Sequence, residues 1–473
     1  MLINGNWITT NEEINVINPS TKEVYKSVYK SGKEETISAI EAAENAREEW
    51  AELPAVNRAQ VLEMIAEKVE ENKEHLAKVI TEEMGKPINN ARSEVITTID
   101  FFKWYAEETR RVYGDTIPAS LPNKRLITVK QPIGVVAAIT PWNFPLSMVA
   151  KKVAPALAAG CTVVIRPSSQ APVSAIELVK IIEQCDIPTG VVNLVVGDAR
   201  EITGAIMDSP VVRKITFTGS TNVGKLLMKD ASQTVKRVSM ELGGNAPFIV
   251  FEDADLELAV DGAINAKFSS SGQQCVCANR IFVHENVYDQ FQKMFVEKVA
   301  QIKVGTGLDE GSEVGPLINE GTLEEMDEFV NDATSKGANI LYGGHQLTDG
   351  TFKDGYYYSP TVLSDVSEDM KVATDEIFGP IAPVMKFSDE DEVIAKANSV
   401  EFGLAAYFYT NDLSRMYRIY EKLEYAVIGV NDSRPSAVQG PFGGMKQSGI
   451  GREGGKGLDD YLEEKFVSIQ IKE

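Results

Sequence analysis

The spacing of apolar residues changes along this chain, and the change divides it. The first 30 residues alternate in short runs around a turn at Asn4-Gly5 and another at Asn18-Pro19-Ser20, which predicts short strands. Ser31 with Glu34 makes a capping box that opens a helix through about Trp50. Helical spacing continues over 57–84 until Gly85 and Pro87 stop it. From residue 133 the period switches. Continuous β-branched runs at 134–140, 162–165, 191–196, 214–218 and 248–251 alternate with helical segments, one ending at Gly160 and one starting near Ala171. Such runs predict a parallel sheet covered on both faces, with ligands expected in the loops after the strands. A second series starts near Asn245. There the run 280–283 leads into an amphipathic helix over 287–302, and α/β patterning goes on to about Val430. A glycine-rich stretch, 440–455, precedes a strand-like segment at 466–471, and alternating Leu, Ile and Val over 115–131 predict a hairpin standing off the body. The fold class is α/β.

Composition narrows the function. At 473 residues, two or three domains are expected, and 43% hydrophobic with 25% charged residues is ordinary globular composition. The net charge of −22 disfavours nucleic acid and anionic membrane as partners, and requires local Lys or Arg wherever an anion binds. No run of about 18 apolar residues occurs and the N-terminus lacks a basic, apolar leader, so neither a spanning helix nor a signal peptide is expected. Four cysteines form no disulfide framework and suit a reducing, cytoplasmic setting; Cys161 and Cys185 read as packing residues. The three histidines lie far from the cysteine pair, so no metal site is expected.

Four short segments carry candidate chemistry. Cys275, in Gly272-Gln273-Gln274-Cys275-Val276-Cys277, offers a thiol after a glycine that permits close backbone approach, although a cysteine in such a setting is more often packing. Glu241, between apolar neighbours and before Gly243-Gly244, has the surroundings of a base with a raised pKa; taken alone it also fits an ion-paired glutamate. Asn143, between Pro141 and Pro145, is an amide held in fixed geometry, suited to an oxyanion and equally to a turn. Phe217-Thr218-Gly219-Ser220 leads from strand to helix, where a pyrophosphate could rest, but without the spacing of a dinucleotide fingerprint or a P-loop.

Taken in order with Glu376-Ile377-Phe378-Gly379-Pro380 and Pro441-Phe442-Gly443-Gly444, these segments resemble the aldehyde dehydrogenase superfamily over essentially the whole chain, and the Glu241-to-Cys275 separation of 275 − 241 = 34 residues fits as well. The resemblance implies a Rossmann-like cofactor domain over 1–114 and 132–242, a catalytic domain over 243–440, and an oligomerisation flap over 115–131 and 456–473. It implies NAD(P)-dependent oxidation of a small aldehyde to an acid through a thioester on Cys275, with Asn143 holding the oxyanion and Glu241 activating water. The cofactor would contact Thr140, Pro141, Trp142, Arg166, Ser168, Ser169, Gly219, Ser220, Glu376 and Phe378, and the assembly would be a homodimer or homotetramer.

Within the superfamily the chain is most similar to the succinate-semialdehyde dehydrogenase branch, with departures. That branch places arginines six residues before the nucleophile and in the helix after Pro145; this chain has Ser269 and Lys151. Arg434 and Ser436 are the candidate replacements, which leaves succinate semialdehyde and small hydroxy-aldehydes such as lactaldehyde or glycolaldehyde as alternatives. Ser169 stands where the family commonly has a glutamate that repels a 2′-phosphate, and Arg166 can attract one, which favours NADP over NAD. Cys277 beside Cys275 suggests an oxidative switch through a tight, reducible disulfide. An acyl-transferring relative is disfavoured by the presence of Glu241, and a non-catalytic scaffold by Cys275, Glu241 and Asn143 together.

Overall fold

In the computed structural model, described over residues 1–472, the apolar runs form two sheets, and the run at 248–251, read with the first series, belongs to the second. The first has eight strands, in the order Asn6–Trp7, Leu2–Ile3, Val192–Leu194, Thr162–Arg166, Val135–Ile139, Val212–Thr218, Arg237–Glu241 and Gly449–Ile450. Its five central strands are parallel; four of them follow from the apolar runs, while the fifth, Arg237–Glu241, and the antiparallel edges were not evident from the pattern. The second sheet has seven strands, in the order Asn339–Tyr342, Thr361–Ser364, Ile381–Phe387, Ala278–His284, Ala246–Val250, Ala405–Tyr409 and Val427–Val430, all parallel except the first. Only Leu242-Gly243-Gly244-Asn245 separates the last parallel strand of the first sheet from Ala246–Val250 in the second.

The helices depart from expectation in three places. Ser31 does not cap the first helix: its buried hydroxyl accepts from the Val196 N–H (3.0 Å), so the helix begins one residue later, with the Glu35 carboxylate accepting from the Gly32 N–H (2.7 Å), and runs Lys33–Glu52. The long helix expected over 57–84 is two, Ala55–Glu71 and Lys73–Met84, broken at Asn72, whose side chain donates to the Lys68 carbonyl (2.8 Å). A further helix, Ile88–Thr109, packs against Ala55–Glu71 and against Ser147–Ala159. Ser147–Ala159 is buried along its whole length, including Lys151 and Lys152. Among the described residues no helix is long and apolar enough to cross a membrane.

The hairpin expected over 115–131 forms from Thr116–Ile117 and Lys124–Pro132, and it gains a third strand. Leu462–Gln470, which starts four residues earlier than its apolar run suggested, pairs antiparallel with the whole of Lys124–Pro132. This small sheet leaves Phe466 and Ile469 exposed.

Candidate active site

Parallel register brings four strand ends of the first sheet side by side. Ile139 lies opposite Arg166 and Phe217, and Thr218 opposite Glu241. The loops leaving these strands are tied to one another: the Thr140 N–H donates to the Arg166 carbonyl (3.1 Å) and the Gly219 N–H to the Glu241 carbonyl (3.0 Å). Ser220 then caps the helix Thr221–Ala231, its hydroxyl accepting from the Val223 N–H (3.4 Å), so that helix begins at the carboxyl ends of the central strands with other N–H groups of its first turn left to a ligand.

Cys275 comes from the opposite side. It lies just before Ala278–His284, at the amino end of a strand of the second sheet, in a loop no strand-end rule would single out. Ser270, Ser271 and Gly272 run through the left-handed region in succession (φ 51°, 60° and 73°), a costly path for two serines. The turn is held by exchange with the 315–318 segment: the Ser271 hydroxyl accepts from the Gly315 N–H (2.9 Å), and the Gln273 carboxamide oxygen accepts from the Ile318 N–H (3.0 Å). Gly244 passes so close to the Cys275 carbonyl that a Cβ there would collide with it. Cys275 is half-buried, and burial pushes its thiol up to about 12, with the Glu376 carboxylate adding to the rise and Lys151 opposing it.

Glu241 is almost wholly buried, and neither of its carboxylate oxygens has a hydrogen-bond partner. Burial raises its pKa well above the usual carboxylate range, the neighbouring Glu453 adds to this, and Lys152, Lys151 and Arg452 offset part of it. Glu453 itself is held by Lys152 (2.5 Å), with Lys151 at 3.9 Å. Asn143 is buried; one N–H of its amide goes to the Gln273 carbonyl (3.1 Å), two residues before the nucleophile, and its amide oxygen has no partner. The amide's second N–H remains available.

Cys275 lies on two cavities of about 300 Å³ each. The first is bounded by Pro141, Trp142, Gly219, Ser220, Glu376 and Phe378, and also by Met148, Thr322 and Glu325, which sequence reasoning missed. The Phe378 ring meets Trp142 edge-on at 5.5 Å, and Glu376 accepts from the Gly244 N–H (3.0 Å) with one oxygen, leaving the other without a partner. Burial pushes Glu376 up to about 7. An aromatic wall, a carboxylate with a spare oxygen and a helix N-terminus fit a nicotinamide dinucleotide entering from the sheet edge. Arg166, Ser168 and Ser169 follow the neighbouring strand and lie outside this cavity; the Arg166 Nε is buried without a partner.

The second cavity opens the other way, and Lys151, Arg434 and Ser436 all line it. Lys151 lies 3.9 Å above the Phe442 ring, and Arg434, exposed at the rim, donates to the Asn265 amide oxygen (2.7 Å). The opposite wall is Asn90, Ser93, Glu94 and Thr97 from the helix Ile88–Thr109, none of which the sequence had marked. One signal was present: Glu94 sits among buried Ala91, Val95 and Thr98, a charge on a core-facing stripe. Cys277 lines neither cavity; its thiol is buried and donates to the Lys267 carbonyl (3.4 Å), a partner it would have to leave to reach Cys275.

Comparison with known proteins accords with this geometry. The sequence profile of the Aldehyde dehydrogenase family matches residues 7–467. The chain is 49% identical to the glutarate-semialdehyde dehydrogenase of Pseudomonas putida (strain KT2440) and 48% identical to the NADP(+) succinate-semialdehyde dehydrogenase of Escherichia coli (strain K12), in each case over 99% of this chain and 97% of the relative. The crystal structure of an E. coli NADP-dependent enzyme superposes with a TM-score of 0.97 at 47% identity, covering 99% of this chain and 98% of that one. The chain belongs to the aldehyde dehydrogenase family, and it is an NAD(P)-dependent aldehyde dehydrogenase.

Proposed function

We propose that the chain oxidises a short aldehyde with a distal carboxylate, succinate or glutarate semialdehyde, to the dicarboxylic acid. The observation that carries this reading is Arg434. Its guanidinium stands at the rim of the cavity that ends on Cys275, and the side-chain partner it has is a neutral amide rather than a carboxylate. A substrate anion would supply the missing charge-assisted bond. The Ser436 hydroxyl lies beside it, and Lys151 lies deeper. The two relatives, at 49% and 48% identity, act on acids of different length by their names, which supports the class without choosing between them.

The residues then divide the work. Glu241, a buried carboxylate with unpartnered oxygens, takes the proton from the Cys275 thiol, whose own raised pKa makes a base necessary. The Cys275 sulfur bonds to the aldehyde carbon while the carbonyl oxygen becomes an oxyanion, met by the free N–H of the Asn143 amide and by the Cys275 backbone N–H. A dinucleotide held in the first cavity would supply the hydride acceptor needed to take the adduct to the oxidation level of a thioester. Trp142 and Phe378, which meet edge-on, would orient that acceptor, and Glu376 would hold it through the carboxylate oxygen that Gly244 leaves free. Glu241 passes that first proton to solvent, then removes a proton from the water that cleaves the thioester and returns it to the departing sulfur, releasing the acid and the free thiol.

Arg166, with a buried Nε and no hydrogen-bond partner for it, supports NADP as the preferred cofactor. The exposed Phe466 and Ile469 on the small sheet support its role as an oligomerisation flap. A second reading, oxidation of a small hydroxy-aldehyde, draws on the hydroxyl and amide wall of Asn90, Ser93 and Thr97. Initial rates of NADPH and NADH formation across succinate semialdehyde, glutarate semialdehyde, lactaldehyde, glycolaldehyde and propanal separate the two. The carboxylate reading requires the semialdehydes to lead in kcat/KM by about tenfold or more, the range of one charge-assisted hydrogen bond. Equal turnover of neutral aldehydes would discard it.

A further inference from the structure

Behind Asn143 lies a pair of charges with no step of the reaction assigned to it, although Glu94 also borders the aldehyde cavity. The side chains of Lys86 and Glu94 are fully buried and paired with each other. One Glu94 oxygen accepts from the N–H groups of Leu146 (2.9 Å) and Ser147 (3.1 Å), where the helix Ser147–Ala159 begins, and the other accepts from Lys86. The Lys86 ammonium also donates to the Asn143 carbonyl (2.7 Å) and lies 3.7 Å above the Phe144 ring. The pair thus grips Asn143, Phe144, Leu146 and Ser147, where the loop after the strand Val135–Ile139 runs into the first turn of the helix Ser147–Ala159.

Stability is a poor explanation for this arrangement. Replacing a buried ion pair by apolar side chains of similar volume is often neutral or stabilising. Apolar side chains, however, could not satisfy two N–H groups and a carbonyl at once. The turn that carries Lys86 also touches the other side of the site. A Cβ on Gly85 would lie 2.5 Å from Pro316, and the Pro316 carbonyl accepts from Gln273 (3.4 Å) in the nucleophile loop.

We propose that Lys86 and Glu94 are positioning residues that set the aim of the Asn143 amide at the oxyanion, by holding the Asn143 carbonyl on one side and the helix start on the other. This rests on Asn143 as the oxyanion donor. Preorganised donors lose much of their effect when they swing by small amounts, so losing the clamp should show in the chemical step. A double-mutant cycle on the full-length enzyme tests it. Lys86→Met is expected to lower kcat about 30-fold or more with KM for NADP within about twofold, and Lys86→Arg to recover part of the loss. In an Asn143→Ala background, Lys86→Met is expected to cost less than about threefold, because the group it acts through is gone. Glu94→Gln, a near-isosteric change, runs through the same cycle should Lys86→Met fail to fold. The same factor in both backgrounds would overturn the proposal while leaving Asn143 as donor. A silent Asn143→Ala would instead remove the oxyanion reading, and the proposal with it.

Discussion

The two cavities that meet at Cys275 have about the same volume and share Met148, but they are built differently. The one toward the cofactor is bounded on one side by the loops that leave the parallel strands of the first sheet, Pro141–Asn143, Thr218–Ser220 and Leu242–Gly243. The one toward the aldehyde is framed by side chains from distant segments, the helices Ile88–Thr109, Ser147–Ala159 and Leu256–Phe268 and the loop 433–436. A wall built at the strand ends follows from the fold, so the dinucleotide chemistry comes with the architecture. A wall of side chains can be changed one residue at a time without moving a strand, so the substrate is a separate matter.

The largest effect expected falls on the residue common to both. Cys275→Ser should lower aldehyde oxidation by about 10⁴-fold or more with the fold intact by circular dichroism, since a hydroxyl is a far weaker nucleophile without dedicated activation. Residual activity within tenfold of the parent would remove Cys275 from the reaction. Next comes Glu241→Gln, for which a loss of about 10²–10⁴-fold in kcat is expected. A base must be ionised to work, and burial raises the Glu241 pKa, so the parent rate should climb as pH rises through that raised value; the variant should lose this acid limb. An unchanged pH–rate profile would assign the limb to another group.

Smaller effects should then separate the cavities from each other. Arg434→Ala is expected to raise KM for succinate semialdehyde about 10–100-fold and leave propanal unchanged, touching the aldehyde side only. Parallel changes for both aldehydes would mean that Arg434 shapes the mouth without reading charge. On the cofactor side, Glu376 titrates at about 7 and would hold ribose hydroxyls best when ionised. KM for NADP should therefore fall about tenfold from pH 6 to pH 8, and Glu376→Gln should flatten the dependence. The same carboxyl binds its proton more tightly folded than unfolded, so its contribution to stability is full below the ordinary carboxylate pKa and is lost as pH rises through about 7.

The difference in construction also explains what could be read from the sequence. The strand that ends at Glu241 has no unbroken apolar run, but the four other central strands of the first sheet, and with them Thr140, Arg166 and Gly219 at their ends, follow from such runs and the strand-end rule. Cys275 does not: it precedes its strand, and only its resemblance to known sequences marked it. The wall of Asn90, Ser93 and Thr97 was missed because three polar residues on a helix look like any solvated face until a partner segment arrives opposite. Asn72 broke a helix that periodicity ran through, since spacing registers buried faces and not the local competition of an amide for the backbone. Glu94 gave the faintest sign of all, a charge on a core-facing stripe, and its partner Lys86, in the stop between two helices, gave none.

The edge strand Gly449–Ile450 bears on how the protein is made as well as how it works. Ile450 pairs with Met240, a separation of 450 − 240 = 210 residues, and the whole second sheet is inserted between them. On a ribosome the first sheet waits, with the edge beside Glu241 open, until the inserted unit has emerged. Closure across so long a loop is slow, and an open edge in the meantime invites pairing with other chains. The hazard in expressing this protein lies in that interval, and slowing synthesis or lowering temperature should raise the soluble yield more than any stabilising change in the second sheet.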